Sequence, residues 1–217
     1  MIMSTKVMSP RMPRMVSKKY GFFKPSKQYH LLSVLTEIEG KPFTTQRALG
    51  QQALVSSTMV NNYISEMEIE GFVTANGSTN RNFNYHLTVA GVNRRNELFF
   101  QCSREIIQFY GSMKQEFKAR LEEHYKSGVR RVVLFGAAET GELLYITSKE
   151  TGIEVIGIVD NDTNKHGKKV LDMVIQPPSA IGALKPDAVI ITSFGHMDEI
   201  YEQVKHLESE GVKVRRL

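Results

Sequence analysis

Two short stretches carry residue types whose spacing points to chemistry. The first is Gly136-Ala137-Ala138-Glu139-Thr140-Gly141, which directly follows the apolar run Arg131-Val132-Val133-Leu134-Phe135. A glycine-bounded turn between a strand and a helix lets backbone N–H groups and the helix N-terminus face a phosphate. Asp160 closes a second apolar run 19 residues past Gly141, where a carboxylate accepts ribose hydroxyls. Asn161 and Asp162 follow it, and Ser193 and Phe194 close a further apolar run, so all four join the candidate nucleotide contacts. The middle glycine of the G-x-G-x-x-G pattern is replaced by Ala138, whose methyl crowds a pyrophosphate, and Glu139 adds a negative charge beside it.

The second stretch is Ser56-Ser57-Thr58, with Asn61 and Asn62 one turn on. Short polar side chains near a helix N-terminus reach base edges and phosphates, and asparagine reads adenine by a two-point hydrogen bond. This helix carries no Arg or Lys, which counts against strong readout of guanine. Arg81, with Asn76, Asn80 and Asn82, sits in a turn-rich segment suited to phosphate or minor-groove contact. Taken one at a time, these residues are also ordinary caps and turn formers.

The elements that must position these groups follow from the apolar pattern. Leu31, Leu32, Val34, Leu35 and Ile38 give a helical face that Gly40-Lys41-Pro42 stops. A short helix from Thr45 to about Gln51 follows, with Thr44 as its expected N-cap. Ser56-Ser57 cap a third helix carrying Met59, Val60, Ile64, Met67 and Ile69. Phe72-Val73-Thr74 and Tyr85-His86-Leu87-Thr88 read as strands flanking an Asn-Gly turn. Three helices and a hairpin are the order of a winged helix-turn-helix. Residues 89–126 contain no proline, so one or two long helices are expected, with apolar surface left over for a second copy of the chain.

Beyond residue 128 the period changes. The runs 131–135, 153–159, 170–175, 188–192 and 212–214 alternate with helical stretches at about 140–151 and 197–209. That alternation predicts a parallel sheet with helices on both faces. The fold class expected is α/β overall: a flexible basic arm (1–27), a winged helix-turn-helix (28–88), a long helical linker for dimerisation (89–127) and a Rossmann-like parallel-sheet sensor (128–217).

Charge follows the same division. The 217 residues carry a net charge of +5, but residues 1–127 hold +7 and residues 128–217 hold −2. The arm alone has seven basic residues and no acidic one, and the first aspartate of the chain is Asp160. A basic front half calls for a polyanionic partner, double-stranded DNA. No apolar run approaches the roughly 18–20 residues that span a bilayer. No membrane role and a cytoplasmic location are therefore expected. The single Cys102 excludes an internal disulfide and is expected to pack rather than react. The histidines are scattered without metal-binding spacing, so no metal is expected. Ser193-Phe194-Gly195-His196 fits a ligand edge and a helix-capping turn equally well. No Ser/His/Asp arrangement emerges from spacing, and no catalytic residue is assigned.

Two resemblances add to this reading. The segment from His30 to about Tyr110 resembles MarR-type winged-helix regulators, especially those linked to exopolysaccharide gene clusters. Thr45-Gln46-Arg47-Ala48-Leu49-Gly50, Val60-Asn61-Asn62-Tyr63, Glu70-Gly71-Phe72-Val73, Asn84-Tyr85-His86-Leu87-Thr88 and Gly91 carry it. The resemblance implies that the third helix reads DNA, with Arg47 among the contacts, and that the long helices dimerise. Residues 129–217 resemble the Rossmann-like domains found ahead of nucleotide-sugar enzymes and sugar O-acyltransferases. That likeness rests on residues 133–141, 155–162 and 186–194, and it implies a nucleotide-type effector, NAD(H) or a nucleotide-sugar. Repressors of the Rex type join the same two kinds of domain. The reading is thus a non-enzymatic transcriptional regulator of polysaccharide biosynthesis genes. The alternatives are an enzyme or accessory subunit of nucleotide-sugar metabolism, or a module that only recruits partners.

Overall fold

The computed structural model describes residues 25–76 and 84–217. The chain divides into two compact units at Ile107/Gln108.

The first unit opens with α1 (Lys27–Gly40), whose N-cap Ser26 accepts from the Tyr29 N–H through Oγ at 3.2 Å. Helix α2 (Gln46–Ala53) is capped by Thr45, whose Oγ1 accepts from the Ala48 N–H at 3.2 Å. The sequence reading places the cap one residue early. Thr44 is buried, and the extended backbone that lets a side chain reach back to the N3 amide belongs to Thr45. Helix α3 (Ser57–Ile69) starts at Ser56, whose Oγ accepts from the Met59 N–H. A Cβ on Gly50 would meet the Val55 carbonyl oxygen at 2.7 Å, so the turn from α2 to α3 closes against a residue without a side chain. Strands β1 (Val73–Asn76) and β2 (Asn84–Leu87) pair antiparallel, Val73 opposite Leu87 and Asn76 opposite Asn84. The core joins Leu32, Leu35 and Ile38 of α1 to Leu49 of α2, to Val60, Ile64 and Met67 of α3, and to Leu98 of the next helix.

That helix, α4, runs unbroken over Val89–Lys126. The division between the units falls inside it. Leu98 belongs to the first core, whereas Phe117 and Leu121 belong to a core of the second.

The second unit is a six-stranded sheet in the order β5-β6-β4-β3-β7-β8. Its strands are β3 (Arg131–Phe135), β4 (Glu154–Val159), β5 (Lys169–Val170), β6 (Met173–Gln176), β7 (Ala188–Ile191) and β8 (Lys213–Arg216). Helices α5 (Glu139–Ser148), α6 (Ile181–Leu184) and α7 (Met197–Val204) connect them. Counting only the parallel strands, the order is third, second, first, fourth, fifth, that of a doubly wound sheet. Side chains alternate across it. Val132 and Leu134 of β3 pack with Leu144 of α5, while Val133 and Phe135 pack with Ile181 of α6 and Ile200 of α7.

Two expectations are corrected here. Residues 170–175 do not form one run. The chain turns back at Leu171, which takes the left-handed φ of 54°, and β5 pairs antiparallel with β6. The sheet is therefore parallel except for this two-residue edge. Helix α7 also stops at Val204, and 3-10 turns over Lys205–Glu210 complete the connection to Gly211.

Candidate functional sites on α3 and at the strand ends

The N-terminal face of α3 is built from its cap outward. Ser56, Ser57, Thr58, Asn61 and Asn62 are all exposed, as is Arg47 on α2. Ser56 is already engaged as the cap, so its hydroxyl serves the fold. No acidic residue lies in the first turn of α3, and the partial positive charge of the helix end is unopposed there. Asn61 does not stand alone. Gln46 of α2 donates through Nε2 to Asn61 Oδ1 at 3.0 Å and lies 3.3 Å from the hydroxyl of buried Tyr85. This side chain, which the sequence pattern does not single out, ties the orientation of Asn61 to α2 and to β2. Its position inside the Thr45–Gly50 segment was the available signal; its partner 15 residues on was not. Arg81 and Asn82 lie outside the described residues.

The second surface lies at the carboxyl ends of the parallel strands, where β3 and β7 diverge to connections on opposite faces. Ligands bind at such a switch point in open α/β sheets. Gly136 has φ +123°, a conformation that favours glycine, and a Cβ there would meet Thr192 Oγ1 at 2.7 Å. A Cβ on Gly141 would meet the Gly136 carbonyl oxygen at 2.2 Å, so α5 packs against the turn only because position 141 is bare. The buried Thr192 hydroxyl lies 2.8 Å from the Gly136 carbonyl oxygen and 3.0 Å from that of Phe135. Ala138 occupies the N-cap position of α5 without a capping side chain, and Glu139 and Glu142 stand in the first turn. Both acids are exposed and Thr140 is half-buried.

Asp160 is buried and has three donors. Its Oδ2 accepts from the Ala137 N–H at 2.7 Å and from Lys165 Nζ at 2.9 Å, and its Oδ1 accepts from the Asp162 N–H at 2.8 Å. Burial works to raise its pKa, but the hydrogen bonds from Lys165, Ala137 and Asp162 outweigh it and hold the carboxyl below the ordinary aspartate value. The carboxylate thus fastens the glycine turn to the loop after β4. That loop is itself fixed. Asp162 Oδ1 caps the 3-10 turn Thr163–Lys165 through the Asn164 N–H, and the His166 ring, through Nε2, meets the Asp160 carbonyl at 2.8 Å.

The structure gathers Gly136, Ala137, Gly141, Asp160 and Ser193 around the turn, Ser193 N lying 3.2 Å from the Cβ built on Gly136. Asn161 turns instead toward α7, exchanging hydrogen bonds with Gln203 at 3.0 and 3.2 Å. Phe194 begins an exposed 3-10 turn, and His196 there contacts Glu199 at 3.0 Å. Among the described residues no group of three or more His, Cys, Asp and Glu side chains is placed to hold a metal ion. Nor is any helix there long and apolar enough to cross a membrane.

The chain was compared with protein families, curated proteins and solved structures. Residues 128–215 match the family model described as C2185-like, N-terminal. No curated protein matches the chain. Among solved structures, UDP-D-quinovosamine 4-dehydrogenase from Vibrio fischeri is 20% identical with a TM-score of 0.36, over 41% of this chain and 78% of that one. The MarR family protein Rv2887 from Mycobacterium tuberculosis, in complex with p-aminosalicylic acid, is 20% identical with a TM-score of 0.32, over 44% and 76%. The PcaV transcriptional regulator from Streptomyces coelicolor, in complex with its natural ligand, is 18% identical with a TM-score of 0.35, over 48% and 73%.

Proposed function

We propose that this chain is a DNA-binding transcriptional regulator whose second unit senses a nucleotide-type ligand, a nucleotide-sugar or NAD(H). The genes it controls are those of polysaccharide biosynthesis. The observation that carries the reading is the exposed, acid-free first turn of α3 with Asn61 held by Gln46. Polar side chains that are oriented in advance lose less entropy on reaching base edges, and the helix end favours a phosphate. In this reading Ser57, Thr58, Asn61 and Asn62 meet the major groove, with Arg47 on the phosphate backbone.

Two copies are needed to span two half-sites about one DNA turn apart. Phe100, Ile107 and Tyr110 recur along one face of α4 at helical spacing and are 65%, 68% and 48% exposed, which supports a homodimer through that helix. Ligand binding at Gly136–Gly141 then favours one arrangement of the dimer, and the fit of the two α3 helices to DNA changes with it. Asp160, with three donors, is arranged to fix a loop rather than to move a proton, which favours binding over catalysis at this turn.

Footprinting on the chain's own upstream region tests the first half of the reading. A protected, sequence-preferring site whose affinity falls steeply with salt is expected. Binding that is indifferent to sequence, or none at all, overturns it. Calorimetry with NADH, NAD, UDP-sugars and GDP-sugars tests the second half.

A further inference from the structure

We propose that Lys165 is the group that reads the phosphate charge of the ligand at the Gly136–Gly141 turn. This rests on the nucleotide reading of that turn and adds to it the residue that selects phosphorylated ligands. The turn by itself is poorly equipped for a pyrophosphate. The Ala137 N–H is engaged by Asp160 at 2.7 Å, and the position that glycine would leave open carries the Ala138 methyl. Glu139 and Glu142 place two carboxylates in the first turn of α5, where they oppose the positive end of the helix. An anion arriving there needs a cation from elsewhere in the unit.

Lys165 is placed to supply it. Its Nζ donates to the same Asp160 oxygen that accepts from the Ala137 N–H. The ammonium and the turn backbone are therefore bridged by one oxygen atom and lie within two hydrogen-bond lengths of each other. Its side chain keeps a third of its surface open to solvent, and an ammonium has three donors, of which Asp160 engages one. The backbone that carries it is held by Asp162 and His166, so the charge is delivered from a fixed loop at the ligand edge of the sheet. Arg216, at the carboxyl end of β8, also makes one ion pair, with Asp198 at 2.9 Å, but it is stacked on the Tyr201 ring as well, and nothing ties it to the turn backbone as Asp160 ties Lys165. A compact, strongly hydrated ammonium suits phosphate as a point charge.

The test uses the full chain and its Lys165→Gln and Lys165→Arg variants. Binding of ADP and UDP is measured by calorimetry, and that of adenosine and uridine by ligand-observed NMR. Lys165→Gln is expected to weaken both diphosphates by about tenfold or more and to leave the nucleosides unchanged. Lys165→Arg is expected to recover most of the loss. Equal weakening of nucleosides and diphosphates overturns the proposal, since it marks a general loss of shape. So does unchanged diphosphate affinity in Lys165→Gln, which leaves the nucleotide reading standing. If the unaltered chain binds neither diphosphate, this proposal fails; if it also binds none of NADH, NAD, the UDP-sugars and the GDP-sugars, the nucleotide reading fails with it.

Discussion

The first turns of α3 and α5 offer solvent the same backbone feature in opposite electrostatic states. Each is a helix N-terminus with unpaired N–H groups and a partial positive charge. At α3 the cap is Ser56, the neighbouring side chains are neutral and polar, and no acid is present. At α5 no side chain caps the helix, and Glu139 and Glu142 oppose its dipole. One end is left positive for something outside the chain; the other is largely neutralised from within. An anion-binding helix end is therefore a matter of which residues fill the first turn, not of the helix alone. The proposed roles follow that difference: α3 for a polyanion met directly, and α5 for an anion met with the help of Lys165.

The contrast is open to attack at both ends. The largest effect is expected from Ser57→Glu, which gives α3 the charge that α5 already has. A carboxylate in the first turn should hold or slightly raise thermal stability while lowering DNA affinity by tenfold or more, about 1.4 kcal/mol upward. Gel-shift titration beside a melting curve reads both. A stable variant that binds DNA as before would break the comparison.

Gly141→Ala comes next. The new methyl would meet backbone, the Gly136 carbonyl oxygen at 2.2 Å, so α5 has to move off the strand. A loss of about 1–3 kcal/mol is expected in the unfolding of the second unit, with little change in the first. Calorimetric scanning that finds no shift would show that the turn tolerates a side chain there.

A smaller effect concerns acid. Because the native Asp160 carboxyl titrates below its unfolded value, its contribution is present at neutral pH. It is lost as pH falls below about 4, through the unfolded and then the native pKa. Asp160→Asn should be less stable at pH 7 and show a shallower acid limb in stability against pH. An unaltered limb would mean that the carboxylate does not fasten the turn. Smallest is Glu139→Gln, which moves α5 toward α3. It should cost a few tenths of a kcal/mol in stability and modestly strengthen the binding of any phosphate at the turn. Weaker phosphate binding in this variant would overturn the account of why α5 needs Lys165.

Much of the architecture was legible because it is encoded locally. The Ser56 cap, the apolar spacing of α3 and the β-branched run of β3 each follow from a few neighbouring residues. What escaped depends on side-chain pairings that the apolar pattern does not record, two of them 15 and 23 residues apart and one only five. Neither Gln46 on Asn61 nor Lys165 and Ala137 on Asp160 leaves a periodic mark. The turn at Leu171 escaped for a different reason. A leucine gives no sign of a left-handed backbone, which pattern reading assigns to glycine or asparagine, although Asp172 beside it does interrupt the apolar run. Thr44 and Thr45 are the same residue type side by side, so composition could not separate the buried one from the cap.

The two edges of the six-stranded sheet also bear on how copies of this chain meet. At one edge β5 is only two residues long; at the other, β8 carries Lys213, Arg215 and Arg216 within four residues. A strand that short offers little to template on, and a row of like charges repels its own image. Pairing of this sheet with another along either edge is disfavoured, by shortness at β5 and by charge at β8.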